Sequence, residues 1–156
     1  MSIVWTTSSF GQLGKQELYE IIRLRQDVFV VEQECAYADL DGLDEGAFHM
    51  RGYEDGKLLA YQRLLPPGLS YPESSIGRIL VSPAGRGRQL GRELVQRGIE
   101  YNTNHWPESA IRIGAQAHLA DFYGSLGFVV DGEEYVEDGI PHLHMLHPLT
   151  GEQAPA

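Results

Sequence analysis

Cysteine occurs once in this 156-residue chain, at Cys35, so neither an internal disulfide nor a cysteine-rich metal site can form. Without a disulfide framework, a cytoplasmic location is the expectation. No apolar run approaches the roughly 20 residues that a membrane-spanning helix needs. The opening segment, MSIVWTTSSF, has neither a basic leader nor a long apolar core, and no signal peptide is expected. Positive charge is scarce: 12 Lys and Arg stand against 22 Asp and Glu, a formal charge of −10. Such a surface repels phosphate backbones and anionic bilayers, so neither nucleic acid nor membrane is an expected partner. What is present, 42% hydrophobic and 22% charged residues, suits a folded globular chain. The length fits one domain, expected over residues 1–150, with 151–156 as a frayed tail.

The few basic residues are gathered. Arg86, Arg88, Arg92 and Arg97 are four of the twelve and lie within a dozen positions. The acidic ones gather elsewhere: Glu32, Glu34, Asp39, Asp41, Asp44 and Glu45 share a stretch with no basic residue. One anion-seeking and one cation-seeking patch suit an enzyme that joins an anionic cofactor to an amine; a solvated acidic loop is the plainer alternative. Calcium spacing fails there, since Gly42 falls too early and no glutamate closes a twelve-residue loop, so no metal site is expected.

Periodicity gives the element order. Ile3, Trp5 and Thr7 alternate in a β-prone run, a strand over residues 2–8. Leu18, Ile21, Ile22, Val28 and Phe29 share one face of a helix from about Gly14 to Val31. A short helix and loop follow over Glu32–Glu45. Asp55-Gly56 turns one hairpin, between strands near 48–53 and 58–65, and Asp138-Gly139 another, between strands near 128–136 and 142–147. Between them lie a strand at Ile76–Val81, a helix with Leu90, Leu94, Val95 and Ile99 on one stripe, a strand at 110–115, and a helix striped by Leu119, Phe122, Tyr123 and Leu126 and capped by Gly127. The pattern predicts an α/β chain (α+β in detail), a mixed sheet with helices on both faces.

One stretch states a chemistry. After the strand ending at Val81, Ser82-Pro83 breaks the ladder, and Ala84-Gly85-Arg86-Gly87-Arg88-Gln89 leads into the helix at Leu90. A small-residue turn at a helix start leaves backbone N–H groups free, the helix dipole favours negative charge there, and three arginines add to it. The order V-x-P, R-G-R-x-x-G, striped helix resembles motif A of the GNAT acetyltransferases, usually R/Q-x-x-G-x-G/A. Arg86 and Gly91 match its ends, and Gln89 stands where the first glycine is usual. F-Y-G-S-L-G-F at Phe122–Phe128 resembles motif B, and the Leu24–Gln33 and E-D-G-I-P-H segments resemble the ElaA-like branch of the family.

The resemblance implies a single-domain GNAT fold with a mostly antiparallel sheet of six to seven strands. It implies transfer of an acetyl group from acetyl-CoA to a primary amine. The gap between strands 76–82 and 111–115 would hold the pantetheine on main-chain groups of Leu80, Val81 and Ser82. The pyrophosphate would rest on Arg86, Gly87, Arg88, Gln89, Leu90, Gly91 and Arg92. Tyr123 would protonate the departing thiolate. The cofactor strand lacks a carboxylate, so the base candidates are Glu32 and His49, with Glu34, Asp41 and His144 also eligible; an amine that arrives already deprotonated, with no dedicated base, is the alternative. Arg78 either anchors an acceptor carboxylate or neutralises a neighbour. A non-catalytic acyl-CoA sensor and a nucleotide-phosphate binder are the alternatives, although the second lacks a P-loop lysine. Exposed sheet edges leave a homodimer open.

Overall fold

The computed structural model describes residues 2–149. The tail expected over 151–156 lies outside them. Eight strands form one sheet: β1 (Val4–Ser9), β2 (Phe48–Glu54), β3 (Lys57–Leu65), β4 (Ser74–Val81), β5 (Ile111–Gln116), β6 (Val129–Val130), β7 (Tyr135–Glu137) and β8 (Ile140–His147). The order is β1-β2-β3-β4-β5-β8-β6, with β7 also on β8, and every pairing is antiparallel except β4 with β5. The helices are α1 (Lys15–Arg25), α2 (Leu90–His105) and α3 (Ala120–Gly124).

The two faces of the sheet are buried separately, as the two helical stripes require. Leu90, Leu94 and Val95 of α2 and Tyr123 of α3 pack with Met50, Leu64, Ile76, Ile111 and Met145 on one face. On the other, Ile21 of α1 and Val28 pack on Leu58, Tyr61 and Leu80. Burying such side chains contributes roughly 1.5–3 kcal/mol each. This burial, more than the intrinsic propensity of short helices, holds α1 and α2 in place.

Three expectations need correcting. The helix predicted to Val31 changes winding: after Arg25 it opens into a π-helical stretch, Gln26–Glu32. The helix expected within 32–45 reduces to a 3-10 turn at Asp44–Gly46. The single strand predicted near 128–136 is broken, because Gly132 has φ +104 and the exposed charges beside it leave the ladder. Its two remnants, β6 and β7, both lie on the outer edge of β8, which accounts for eight strands instead of seven.

The feature that makes a site is the parting of β4 from β5. They pair only at Ser74 with Ile111 and Ser75 with Arg112. Beyond Ser75 each continues with its other partner. Along β3, Tyr61 faces Leu80 and Arg63 faces Gly77, so β4 carries one residue more than its partner across this step. That bulge contains Arg78, with φ +51. A bulge bends the strand that bears it and sharpens the local twist. Here it turns β4 away from β5 and opens the gap.

Candidate functional site

The gap between β4 and β5 is a cavity of about 620 Å³. Ile76, Ile79, Ile113, Ala115 and Tyr123 line it, and the segment after the π-helical stretch adds Gln33, Cys35, Tyr37 and Asp41. Cys35 Sγ lies 3.7 Å from the Asp138 carbonyl, joining that segment to the β7–β8 turn across the opening.

The register decides which main-chain groups face the gap. Ser82 N–H donates to the Leu59 carbonyl at 2.8 Å. Residues alternate along an antiparallel ladder, so Leu80 spends its N–H and C=O on Tyr61, while those of Val81 point to the open side. Of the three residues expected to meet the pantetheine with their main chain, Val81 therefore turns its groups away from β3; Leu80 and Ser82 direct theirs to it.

At the wide end of the gap a smaller hollow of about 240 Å³ is lined by Val81, Gly85, Arg86, Gly87, Gln89, Leu90, Gly91, Arg92 and Phe122. The N–H groups of Gln89, Leu90 and Gly91 open α2 and make no hydrogen bond among the described residues. Gln89 has φ 61 and ψ 19, the left-handed conformation. This explains why a glycine is usual at that place: the turn needs positive φ, whichever residue supplies it. Gly85 matters for a different reason. A Cβ there would meet Val81 Cγ1 at 3.0 Å and Leu59 Cβ at 3.3 Å, so only glycine lets the turn lie this close to the sheet.

The arginines of the turn are tied to the chain itself. Arg86 makes two bonds to the Glu32 carboxylate, at 2.5 and 2.7 Å, and its Nε donates to the Val81 carbonyl at 3.1 Å. Arg88 pairs with Glu54 at 2.9 Å, and Arg92 donates to Ser125 Oγ at 2.9 Å. The hydrogen bond from Arg86 holds the Glu32 carboxyl below its usual range, which makes it a weaker proton acceptor.

Tyr123 is 7% exposed, lines the gap, and makes no hydrogen bond through its hydroxyl among the described residues. Phe122 and Phe128 hold its ring edge-on, with centroids 5.2 and 5.9 Å away. Burial pushes its phenol up to about 12, so it stays a proton donor across the neutral range. His49 is not brought to the gap. It is fully buried under the acidic segment, with Nε2 2.9 Å from the Asp44 carbonyl and Nδ1 2.6 Å from the Tyr61 hydroxyl. A carbonyl only accepts, so Nε2 carries the proton and Nδ1 receives the Tyr61 O–H. Both nitrogens are spent, and burial lowers the imidazole's proton affinity further. His144 lies between Tyr71 and Tyr135 with Arg112 Nη1 at 3.4 Å. His142, two residues before His144 on β8, does line the gap.

The acidic segment is neither a cation-seeking patch nor a solvated loop. Asp39, Asp41 and Asp44 turn inward onto three arginines of the folded core. Arg25, 1% exposed, meets Asp39 at 2.9 Å and Asp44 at 2.7 Å. Arg63 meets Asp41 at 2.5 Å and Asp44 at 3.1 Å. Arg78 meets Asp39 at 2.8 Å and Asp41 at 3.2 Å, with its guanidinium over the Tyr37 ring. Of the two roles open to Arg78, the structure has it neutralising neighbours. The signal for this network was available: charged Arg25 and Arg63 interrupt apolar patterns and need buried counter-charges. Among the described residues, no group of three or more His, Cys, Asp or Glu is gathered as metal ligands, and no helix is long and apolar enough to cross a membrane.

Known proteins are similar to this chain in sequence and fold. The model of the acetyltransferase (GNAT) domain matches residues 14–148. Protein ElaA of Escherichia coli is 42% identical over 145 residues, 92% of this chain and 95% of that protein. The crystal structure of an acyl-CoA N-acyltransferase from Pseudomonas aeruginosa superposes with a TM-score of 0.90 at 42% identity, covering 94% of this chain and 100% of that one. The crystal structure of E. coli ElaA gives 0.88 at 40% identity, over 94% and 99%.

Proposed function

The chain belongs to the GNAT acetyltransferase family, and we propose on that premise that it transfers the acetyl group of acetyl-CoA to a primary amine by direct attack. One observation carries the reading: an unpartnered phenol, Tyr123, lines the gap between β4 and β5, and the neighbouring hollow, lined by Val81, Gln89, Leu90 and Gly91, ends in a helix start with free amides. The amides of Gln89, Leu90 and Gly91 and the guanidinium of Arg86 bind the diphosphate. The pantetheine lies along β4 as an added strand and pairs with Val81. The Val81 N–H, turned away from β3, then donates to the thioester oxygen as it gains charge. Tyr123 gives its proton to the sulfur as the C–S bond breaks, and its raised proton affinity keeps that proton available. A cytoplasmic site of action goes with this reading, as does acetyl-CoA as cosubstrate.

Two measurements test it. Acetyl-CoA and CoA raise the melting temperature, while ATP and NAD do not, because a ligand of the folded state stabilises it by mass action. Thiol release in a screen of primary amines then identifies acceptors. Tyr123→Phe lowers turnover about 100-fold and leaves acetyl-CoA affinity unchanged. No shift with either CoA compound removes the reading; an equal loss of affinity in Tyr123→Phe assigns the tyrosine to packing.

A further inference from the structure

We propose that Nε2 of His142 is the proton acceptor for the attacking amine, an inference that rests on the transfer reading above. His142 is 9% exposed and lines the same gap as Tyr123. Its Nδ1 lies 2.7 Å from the Ile140 carbonyl. A carbonyl only accepts, so Nδ1 carries the proton and Nε2 of the neutral ring is left with its lone pair. This reverses the state of His49, whose acceptor nitrogen is already filled by Tyr61. The ring is held stacked on Tyr135 of β7, with centroids 5.7 Å apart. Around it stand Glu137, whose carboxylate is 3.7 Å from Nε2, and Gln116 across the β5–β8 ladder.

Glu137 and Asp138 line the gap from exposed positions, and the remaining base candidates are committed or loose. Asp41 is held by Arg63 and Arg78. Its carboxyl is pushed up by burial, but the bonds from Arg63 and the Leu43 amide outweigh this and leave it well below its ordinary range. Glu32 is tied to Arg86. His118 is exposed, and no hydrogen bond fixes its ring among the described residues.

The Glu137 carboxylate draws an alkylammonium to the rim. The ammonium gives one N–H proton to Nε2, and the freed lone pair attacks the thioester carbon. The C–N bond forms and the C–S bond breaks. The thiolate takes the Tyr123 proton, a second proton from nitrogen refills the phenol through water, and the imidazolium returns its own to solvent.

The test compares two small amines that differ in protonation. Ethylamine is almost wholly an ammonium at neutral pH, whereas methoxyamine is mostly free base and needs no acceptor for its first proton. His142→Asn, whose amide nitrogen takes the place of Nδ1 beside the Ile140 carbonyl and which has no group at the place of Nε2, lowers thiol release with ethylamine about 100-fold and with methoxyamine less than about 3-fold. Glu137→Gln raises KM for ethylamine and leaves methoxyamine unaffected. The acetyl-CoA melting shift of each variant stays that of the natural protein. Equal loss with both amines, at an intact melting shift, overturns the role of His142 and leaves the transfer reading standing. Release with neither amine from the natural protein, though it binds acetyl-CoA, overturns the transfer reading and this inference together.

Discussion

Asp44→Asn tests the buried network with little change of shape. Asp44 Oδ1 receives Arg25 Nη1 at 2.7 Å and Arg63 Nη1 at 3.1 Å, while its main-chain carbonyl, which receives His49, is untouched. Arg25, Arg63 and Arg78 balance Asp39, Asp41 and Asp44, three charges against three. Asparagine leaves one positive charge in excess beside a guanidinium that is 1% exposed and cannot rehydrate. Breaking a buried pair by removing one partner costs about 3–5 kcal/mol. That is a large part of the roughly 5–15 kcal/mol that stabilises a natural domain. At roughly 2–4 °C per kcal/mol for a chain of this size, the melting temperature falls by about 10 °C. Urea unfolding followed by circular dichroism reads the loss as a lower midpoint at constant slope. The pH dependence has a definite sign. Burial pushes the Asp44 carboxyl up, but its bonds and charges from Arg25 and Arg63 win, so it lies below its unfolded value, as does Asp41. The stabilisation is therefore complete above the unfolded carboxylate value, about pH 4, and is lost as acid protonates the folded groups below it. The difference between natural protein and variant shrinks in the same window. A loss under about 1 kcal/mol at pH 7, the worth of an exposed pair, refutes the argument.

Four further substitutions separate the forces at the turn before α2 and on α2 itself. Gln89→Gly removes a side chain from the left-handed region and stabilises by about 1 kcal/mol, read as a higher melting temperature; a drop refutes the strain argument. Glu32→Gln releases Arg86 and tightens acetyl-CoA binding about 3-fold with little change in stability, since that pair is half-exposed; Arg86→Ala weakens binding about 10-fold, and calorimetric titration that finds neither change removes Arg86 from the diphosphate site. Gly98→Ala sets two effects against each other. Alanine favours a helix by about 1 kcal/mol. Its Cβ, however, would meet Gln62 Nε2 at 2.5 Å and Ile76 Cδ1 at 3.0 Å, and overpacking a rigid contact costs about 1–3 kcal/mol. Net destabilisation in urea is expected.

The hairpin turns, the α2 stripe and the glycine-rich approach to Leu90 were legible because each is a local pattern with a local cause. Tyr123 was legible only through its neighbours Gly127 and Phe128, since a tyrosine on an apolar stripe is otherwise a core residue, and here it packs as one too. Two kinds of feature were not local. The bulge at Arg78 appears in no periodicity, because the extra residue is defined against β3 and not against β4's own sequence. The division between His49 and His142 turns on which ring nitrogen faces a carbonyl, Asp44 in one case and Ile140 in the other. Strand parity gives the side on which an imidazole lies and says nothing of its tautomer.

The ion pairs also relocate the argument about the acceptor's charge. Read as sequence, six carboxylates in 32–45 looked like the attraction for a cation. In the fold, Asp39, Asp41 and Asp44 are consumed by arginines that the sheet buries, and Glu32 by the turn before α2. What they provide is a wall, on which Gln33, Cys35 and Tyr37 border the gap. Among the described residues, the gap-lining carboxylates without an arginine are Glu137 and Asp138, on the hairpin that carries His142. An ammonium group drawn to this gap is therefore drawn to the β7–β8 side, opposite the segment whose composition first suggested it. The same hairpin then supplies both the attraction for the charge and the nitrogen that removes it.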